Sequence, residues 1–171
     1  MRSADGVPAG EPVLYGHKVY LQFGGLRLGG EREAAGFVGS ARSQGAPTAT
    51  QIIAKQECFV RTVATDGSEA VPYECTWTLL PEHVDDRLIG QGQPVPAGGR
   101  LMLSHAFTNK RLACVHETLA TDFGREYGVC AHTFTETGKV NKLLREANGR
   151  PTANLLSRTE TTENLWTLVF A

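Results

Sequence analysis

Residues 12–21, PVLYGHKVYL, align without gaps on residues 94–103, PVPAGGRLML. Pro12, Val13, Gly16 and Leu21 meet their like at Pro94, Val95, Gly98 and Leu103, and Lys18 meets Arg100, all at an offset of 82. Farther on, TWTLL around Trp77 matches LWTLV around Trp166 at an offset of 89. Offsets this close mean that the two halves share order as well as wording, which is the signature of an internal repeat. Each half opens with Pro-Val-x-x-Gly and a strand, and closes with a strand carrying Trp-Thr-Leu. Side chains alternate across a strand, so Val19, Leu21, Leu101 and Leu103 fall on equivalent inward faces, with the Trp of each closing strand plugging the core.

The rest of the chain fits a β domain. Short alternating stretches at 17–23, 57–65, 74–80, 99–107, 111–117, 126–134 and 164–171 are rich in Val, Leu, Phe, Tyr and Thr. Turn formers bound them, which is the pattern of strands. FTNKR at 107–111 reads as a hairpin tip. One segment, 137–150, has helical spacing: Val140, Leu143 and Leu144 stand at i, i+3 and i+4, and Gly149 supplies a stop. Residues 24–50, small and Gly/Ala-rich, read as an exposed loop insertion, and 150–163 as a second surface excursion. The domain organisation expected is a flexible 1–11, a repeat over 12–80, a connector at 81–93, and a repeat over 94–171 with a helical insertion at 137–163.

Composition narrows the function classes. The 171 residues suit one domain, and 19 Gly with 8 Pro favour short strands and many turns. With 17 Lys and Arg against 18 Asp and Glu, the net charge of -1 gives no footprint for nucleic acid or an anionic membrane. The opening MRSADGVPAGEPVLYG has no apolar run, so the expectation is an intracellular protein. Four cysteines are too few and dispersed for a secreted disulfide scaffold.

Two Cys-x-His pairs, Cys114 with His116 and Cys130 with His132, invite a metal reading. On a strand, i and i+2 share a face, so each pair could present two ligands. Adjacent side chains on one flat face rarely wrap a tetrahedron, and packing is the stronger reading. There is no G-x-S-x-G elbow, and GQG at 90–92 lacks the strand-to-helix setting of a phosphate loop. Asp85–Asp86 reads as a solvated turn. No catalytic, cofactor or metal residue is assigned.

A unit that opens G-x-x-V-x-L and ends W-x-L is similar to the repeat of MIR-type β-trefoils. More specifically, VLYGHKVYL, QGQPVPAGGRLMLSHAFTNKRLA, TDFGREYGVCAHTFTETGKV and NLWTLV resemble the cilia- and flagella-associated protein 161 family. The resemblance runs from about Pro12 to the C-terminus, with 24–50 and 141–163 diverging. It implies an all-β, MIR-like β-trefoil, of which this chain holds two of the three repeats, as a partial product or as a short form completed by a partner.

The function it implies is that of a non-enzymatic microtubule inner protein in the axoneme of motile cilia or flagella. Such a protein belongs to the cytoplasmic cytoskeleton and stabilises the doublet from its lumen, in the A-tubule rather than the B-tubule. Its partners are then tubulin and neighbouring microtubule inner proteins, with no small-molecule substrate. Candidate contacts with the acidic tubulin surface are Asn109, Lys110 and Arg111 in the hairpin, Arg125 in the FGREYG turn, and Lys139, Lys142, Arg145 and Arg150 in the helical insertion. The alternative is a carbohydrate- or protein-binding trefoil module, for which Tyr15, Tyr73, Phe107, Phe123 and Tyr127 are the surface aromatics.

Overall fold

The structure, a computed structural model, describes residues 2–3, 11–28, 32–41, 55–65, 69–122, 124–136, 143, 146–149 and 159–169. It is built of antiparallel strands: β1 (Arg2–Ser3), β2 (Lys18–Tyr20), β3 (Gln22–Leu28), β4 (Arg32–Ser40), β5 (Gln56–Ala64) and β6 (Thr76–Pro81) come first. β7 (Arg100–His105), β8 (Leu112–Thr121), β9 (Gly124–Ala131), β10 (Thr135–Glu136), β11 (Thr159–Glu160) and β12 (Trp166–Thr167) follow. One sheet runs β1-β2-β6-β7-β12, a second runs β3-β4-β5-β9-β8, and β10 pairs with β11. The fold is all-β, as the alternation in the sequence predicts.

The internal repeat is visible in the hydrogen bonds. In the first half β2 pairs with β6, Val19 opposite Trp77; in the second β7 pairs with β12, Leu101 opposite Trp166. Gly16 and Gly98 both have positive φ, 91° and 72°, where a side chain would be strained. Their N–H groups donate to Leu79 and Leu168 at 2.8 and 3.1 Å, again equivalent partners. A single 3-10 turn precedes each closing strand, at Tyr73–Cys75 and Thr162–Asn164, and the last residue of each, Cys75 and Asn164, is fully buried. β6 joins β7 with Leu79 opposite Leu103, and Val95 N–H donates to Val13, so the halves pack side by side.

Val19, Trp77, Leu79, Leu101, Leu103, Leu112 and Ala131 form the main core, with Leu21 and Trp166 packed against it. The two indoles also tie the sheets together. Trp77 Nε1 donates to the Val38 carbonyl on β4 at 2.8 Å, and Trp166 Nε1 donates to the Leu112 carbonyl on β8 at 3.0 Å. Buried indole N–H groups need such partners, so these bonds fix how the closing strands sit beneath the hairpins.

Two expectations change. The window 24–50, read as a loop, contains most of β3 and all of β4, paired with each other and with β5. Small residues hide this strand pattern because neighbours press on its backbone. A Cβ at Gly36 would stand 2.5 Å from the Phe23 ring, and one at Gly39 would stand 2.9 Å from both the Cys75 thiol and the Glu74 carbonyl. Glycine in a strand here marks close approach. The connector 81–93 also holds a short helix, α1 (Asp86–Ile89). Of the helix expected over 137–150, Leu143 and residues 146–147 are helical, Asn148 and Gly149 form a turn in which Gly149 has φ 72°, and Val140, Leu144 and the rest of the window lie outside the described residues.

Candidate partner-binding surface

The hairpin tip after β7 is held from below. Asn109 adopts left-handed φ (55°), a conformation its short amide tolerates, and its N–H donates to His105 O at 2.8 Å. His105 N–H in turn donates to Lys110 O at 2.7 Å, closing the turn. The His105 ring is fully buried, tilted against Trp77 with centroids 4.9 Å apart. Its Nε2 lies 2.8 Å from Glu74 O and its Nδ1 2.8 Å from Thr108 Oγ1. A carbonyl only accepts, so Nε2 carries the proton and Nδ1 of the neutral ring accepts from the Thr108 hydroxyl. Burial lowers the pKa of this imidazole, partly offset by the Glu74 carbonyl and charge, and favours that neutral form.

Arg111, expected with Asn109 and Lys110 at the exposed tip, is turned inward. It is 9% exposed, and Nη1 donates to Ser104 Oγ at 2.6 Å and to Asn109 Oδ1 at 3.1 Å. Its Nε stands 3.6 Å from Glu160 Oε1, the same oxygen that Arg87 Nη2 reaches at 2.8 Å. Two guanidinium groups thus share one buried carboxylate. Burial and the Arg87 charge push the Arg111 pKa down, and Glu160 pulls it back. The carboxylate draws Arg111 under the tip, where Asn109 is exposed with its Oδ1 turned to Arg111 and Lys110 is half-buried. This Arg87–Glu160–Arg111 cluster is invisible to sequence reasoning because Glu160 lies far along the chain.

Arg125 is exposed but sits within β9, opposite Ala120, rather than in a turn. Gly124 takes the irregular position beside it, φ 127°. Arg125 is six residues before Ala131, the β9 partner of Leu112, so it stands roughly 20 Å up the β8–β9 ribbon from the hairpin end. The two basic points are therefore ends of one ribbon, not one patch. Lys139, Lys142, Arg145 and Arg150 lie outside the described residues.

The cysteine–histidine pairs are separated by the ladder. Cys130 stands opposite Ala113 and Cys114 opposite Val129, so the thiols take alternate faces. His116 points outward, 3.7 Å from Glu163, and His132 packs edge-on to Phe134. Burial pushes Cys58 up to about 12 and Cys75 up to about 11, and raises Cys130 as well, so these thiols are poor nucleophiles. No group of three or more His, Cys, Asp or Glu among the described residues is arranged to hold a metal ion. Of the aromatics, Tyr73 and Phe107 are exposed and meet edge to face at 6.3 Å, Tyr127 is exposed, and Tyr15 is half-buried. Phe123 lies outside the described residues.

Residues 48–143, the span from before β5 through the hairpin tip and the β8–β9 ribbon, match the model of the cilia- and flagella-associated protein 161-like domain. The chain belongs to the cilia- and flagella-associated protein 161-like family. Among its relatives is cilia- and flagella-associated protein 161 of Danio rerio, 35% identical over 75 residues, which are 43% of this chain and 25% of the relative. The Bos taurus protein of the same name is 39% identical over 67 residues, 39% of this chain and 21% of the relative. The matched stretch is thus a quarter or less of each relative's length. Within the family-matched span lie β6, β7, the tip and the buried Arg111, while Glu160, Asn164 and Trp166 fall beyond it.

Proposed function

We propose that this chain is a non-enzymatic structural protein of motile cilia or flagella, a microtubule inner protein that binds tubulin from the lumen of the doublet and reinforces the axoneme. Membership of the cilia- and flagella-associated protein 161-like family is the observation that carries this reading. The trefoil expected from the resemblance is part of the same proposal, two units being described here. The geometry supports a mechanical role: the tip is braced by a buried His and a buried ion cluster, so a partner meets a surface that loses little freedom on binding. In this reading Asn109, Lys110 and Arg125, with Lys139, Lys142, Arg145 and Arg150, meet the acidic tubulin wall, and Arg111 serves by positioning the tip.

Each exposed ion pair contributes only about 0.2–1 kcal/mol, so retention depends on their sum and weakens with salt. The test is salt extraction of demembranated axonemes carrying the tagged chain. Replacing Lys110 and Arg125 by Glu, together with Lys139, Lys142 and Arg145, should release the protein at lower salt than the parent. Release at the same salt concentration would sink this contact assignment.

A further inference from the structure

The two halves of the chain meet where the closing strand of the first, β6, pairs with the opening strand of the second, β7. Across this seam Trp77 stands opposite His105, Leu79 opposite Leu103 and Leu80 opposite Met102, and the Trp77 and His105 rings lie 4.9 Å apart. The repeat places a counterpart of each side of the seam at the outer ends of the same sheet. β12 is the counterpart of β6, and among the described residues no strand lies beyond it. β2 is the counterpart of β7, and its outer edge carries only the two-residue β1.

The offset of 89 carries Trp77, Leu79 and Leu80 to Trp166, Leu168 and Val169, and the offset of 82 carries His105, Leu103 and Met102 back to Phe23, Leu21 and Tyr20. Each of the six counterparts is more exposed than the residue it copies. Val169 is 83% and Phe23 41% exposed, and the other four are half-buried where their originals are buried. These are the two surfaces of a seam that the fold already uses once. They complement each other rather than themselves, so a second copy can bring its β2 to β12. β1 shows that the β2 edge accepts a strand in this way: Arg2 and Ser3 stand opposite Tyr20 and Val19, the places that Leu80 and Pro81 take opposite Met102 and Leu101. The sheet is curled into half a barrel. Two copies placed head to tail therefore join at two identical seams and leave no edge over. A net charge of -1 raises no barrier to their approach.

We propose that two copies of the chain pair head to tail, β12 of each lying on β2 of the other in place of β1. The seam repeats the β6–β7 register, with Trp166 opposite the partner's Phe23, Leu168 opposite the partner's Leu21 and Val169 opposite the partner's Tyr20. The proposal stands on the repeat and does not rest on the ciliary reading. The test is sedimentation equilibrium of the whole chain over a concentration series, which should show a reversible monomer–dimer equilibrium and nothing larger. Val169→Lys sets a charge on the docking edge and should weaken the dimer by about tenfold or more. Arg2→Pro/Ser3→Pro removes the β1 donors and should tighten it by about threefold or more. A short bismaleimide should link Thr167→Cys chains to Gln22→Cys chains, the counterparts of the Thr78–Ser104 pair, and link neither variant alone above the level of the parent. Should Val169→Lys melt early, the cross-link decides, since it is read with Val169 intact. A parent that stays monomeric throughout, association that grows past the dimer, a dimer indifferent to either substitution, or no cross-link between 167 and 22 would each overturn the proposal.

Discussion

Gly36 and Gly39 are three residues apart on β4, on opposite faces, and their neighbours decide how each responds to a methyl group. At Gly36 the obstacle is the far end of the Phe23 ring, itself 41% exposed and free to swing outward. At Gly39 it is the Glu74 backbone carbonyl and the thiol of fully buried Cys75, which cannot retreat without disturbing the 3-10 turn. Gly39→Ala should therefore lower stability by about 1–3 kcal/mol in a denaturant titration, and Gly36→Ala by clearly less. Equal losses would show that the two contacts are not what holds glycine in place. His105 gives a second prediction, in pH. Its imidazole titrates below its ordinary value when folded and near about 6.5 when unfolded. The unfolded chain therefore takes up the proton first as pH falls. Stability contributed by the neutral ring is present above about 6.5 and lost on acidification toward the folded value. The melting temperature should fall between pH 7.5 and 5.5, and His105→Gln should flatten that fall even if it lowers the whole curve. A slope unchanged by the substitution would remove His105 from the account.

At the scale of elements, Glu160 on β11 is the link between α1 and the hairpin tip, because Arg87 and Arg111 both converge on it. Removing it takes from two guanidinium groups the buried carboxylate on which both converge. Glu160→Ala should thus cost about 3–5 kcal/mol, as expected for breaking a buried ion cluster from one side. Hydrogen exchange should quicken at both 86–90 and 106–111, although these segments lie apart in sequence. Faster exchange at only one of them would show that Glu160 does not couple the two. Much of the framework was legible beforehand: Val19, Leu101 and the two Trp strands announce themselves by alternation and by the Pro-Val-x-x-Gly repeat. β4 was not legible, because Ala34, Ala35, Gly36 and Gly39 are small for reasons of contact, and contact is absent from a single sequence. Arg111 was misread for a related reason. A cation in a turn looks solvated until its carboxylate, 49 residues later, is seen beneath it.

For the whole molecule, the repeat is a physical statement: two units with matching glycine turns, 3-10 turns and indole hydrogen bonds share one core and one pair of sheets. Its buried thiols and histidine are engaged in packing, and its outward features include a braced tip and a long ribbon. In the functional reading proposed here, these features are contact points, and the stiffness of the core is what the axoneme uses. The most direct measurement is a cryo-electron map of ciliary doublet microtubules from cells with the gene intact and from cells lacking it. The account predicts a density inside the doublet lumen, present only in the first, that fits the two-unit β core with the hairpin tip against tubulin. Identical luminal density in both, or a lost density outside the doublet wall, would contradict it.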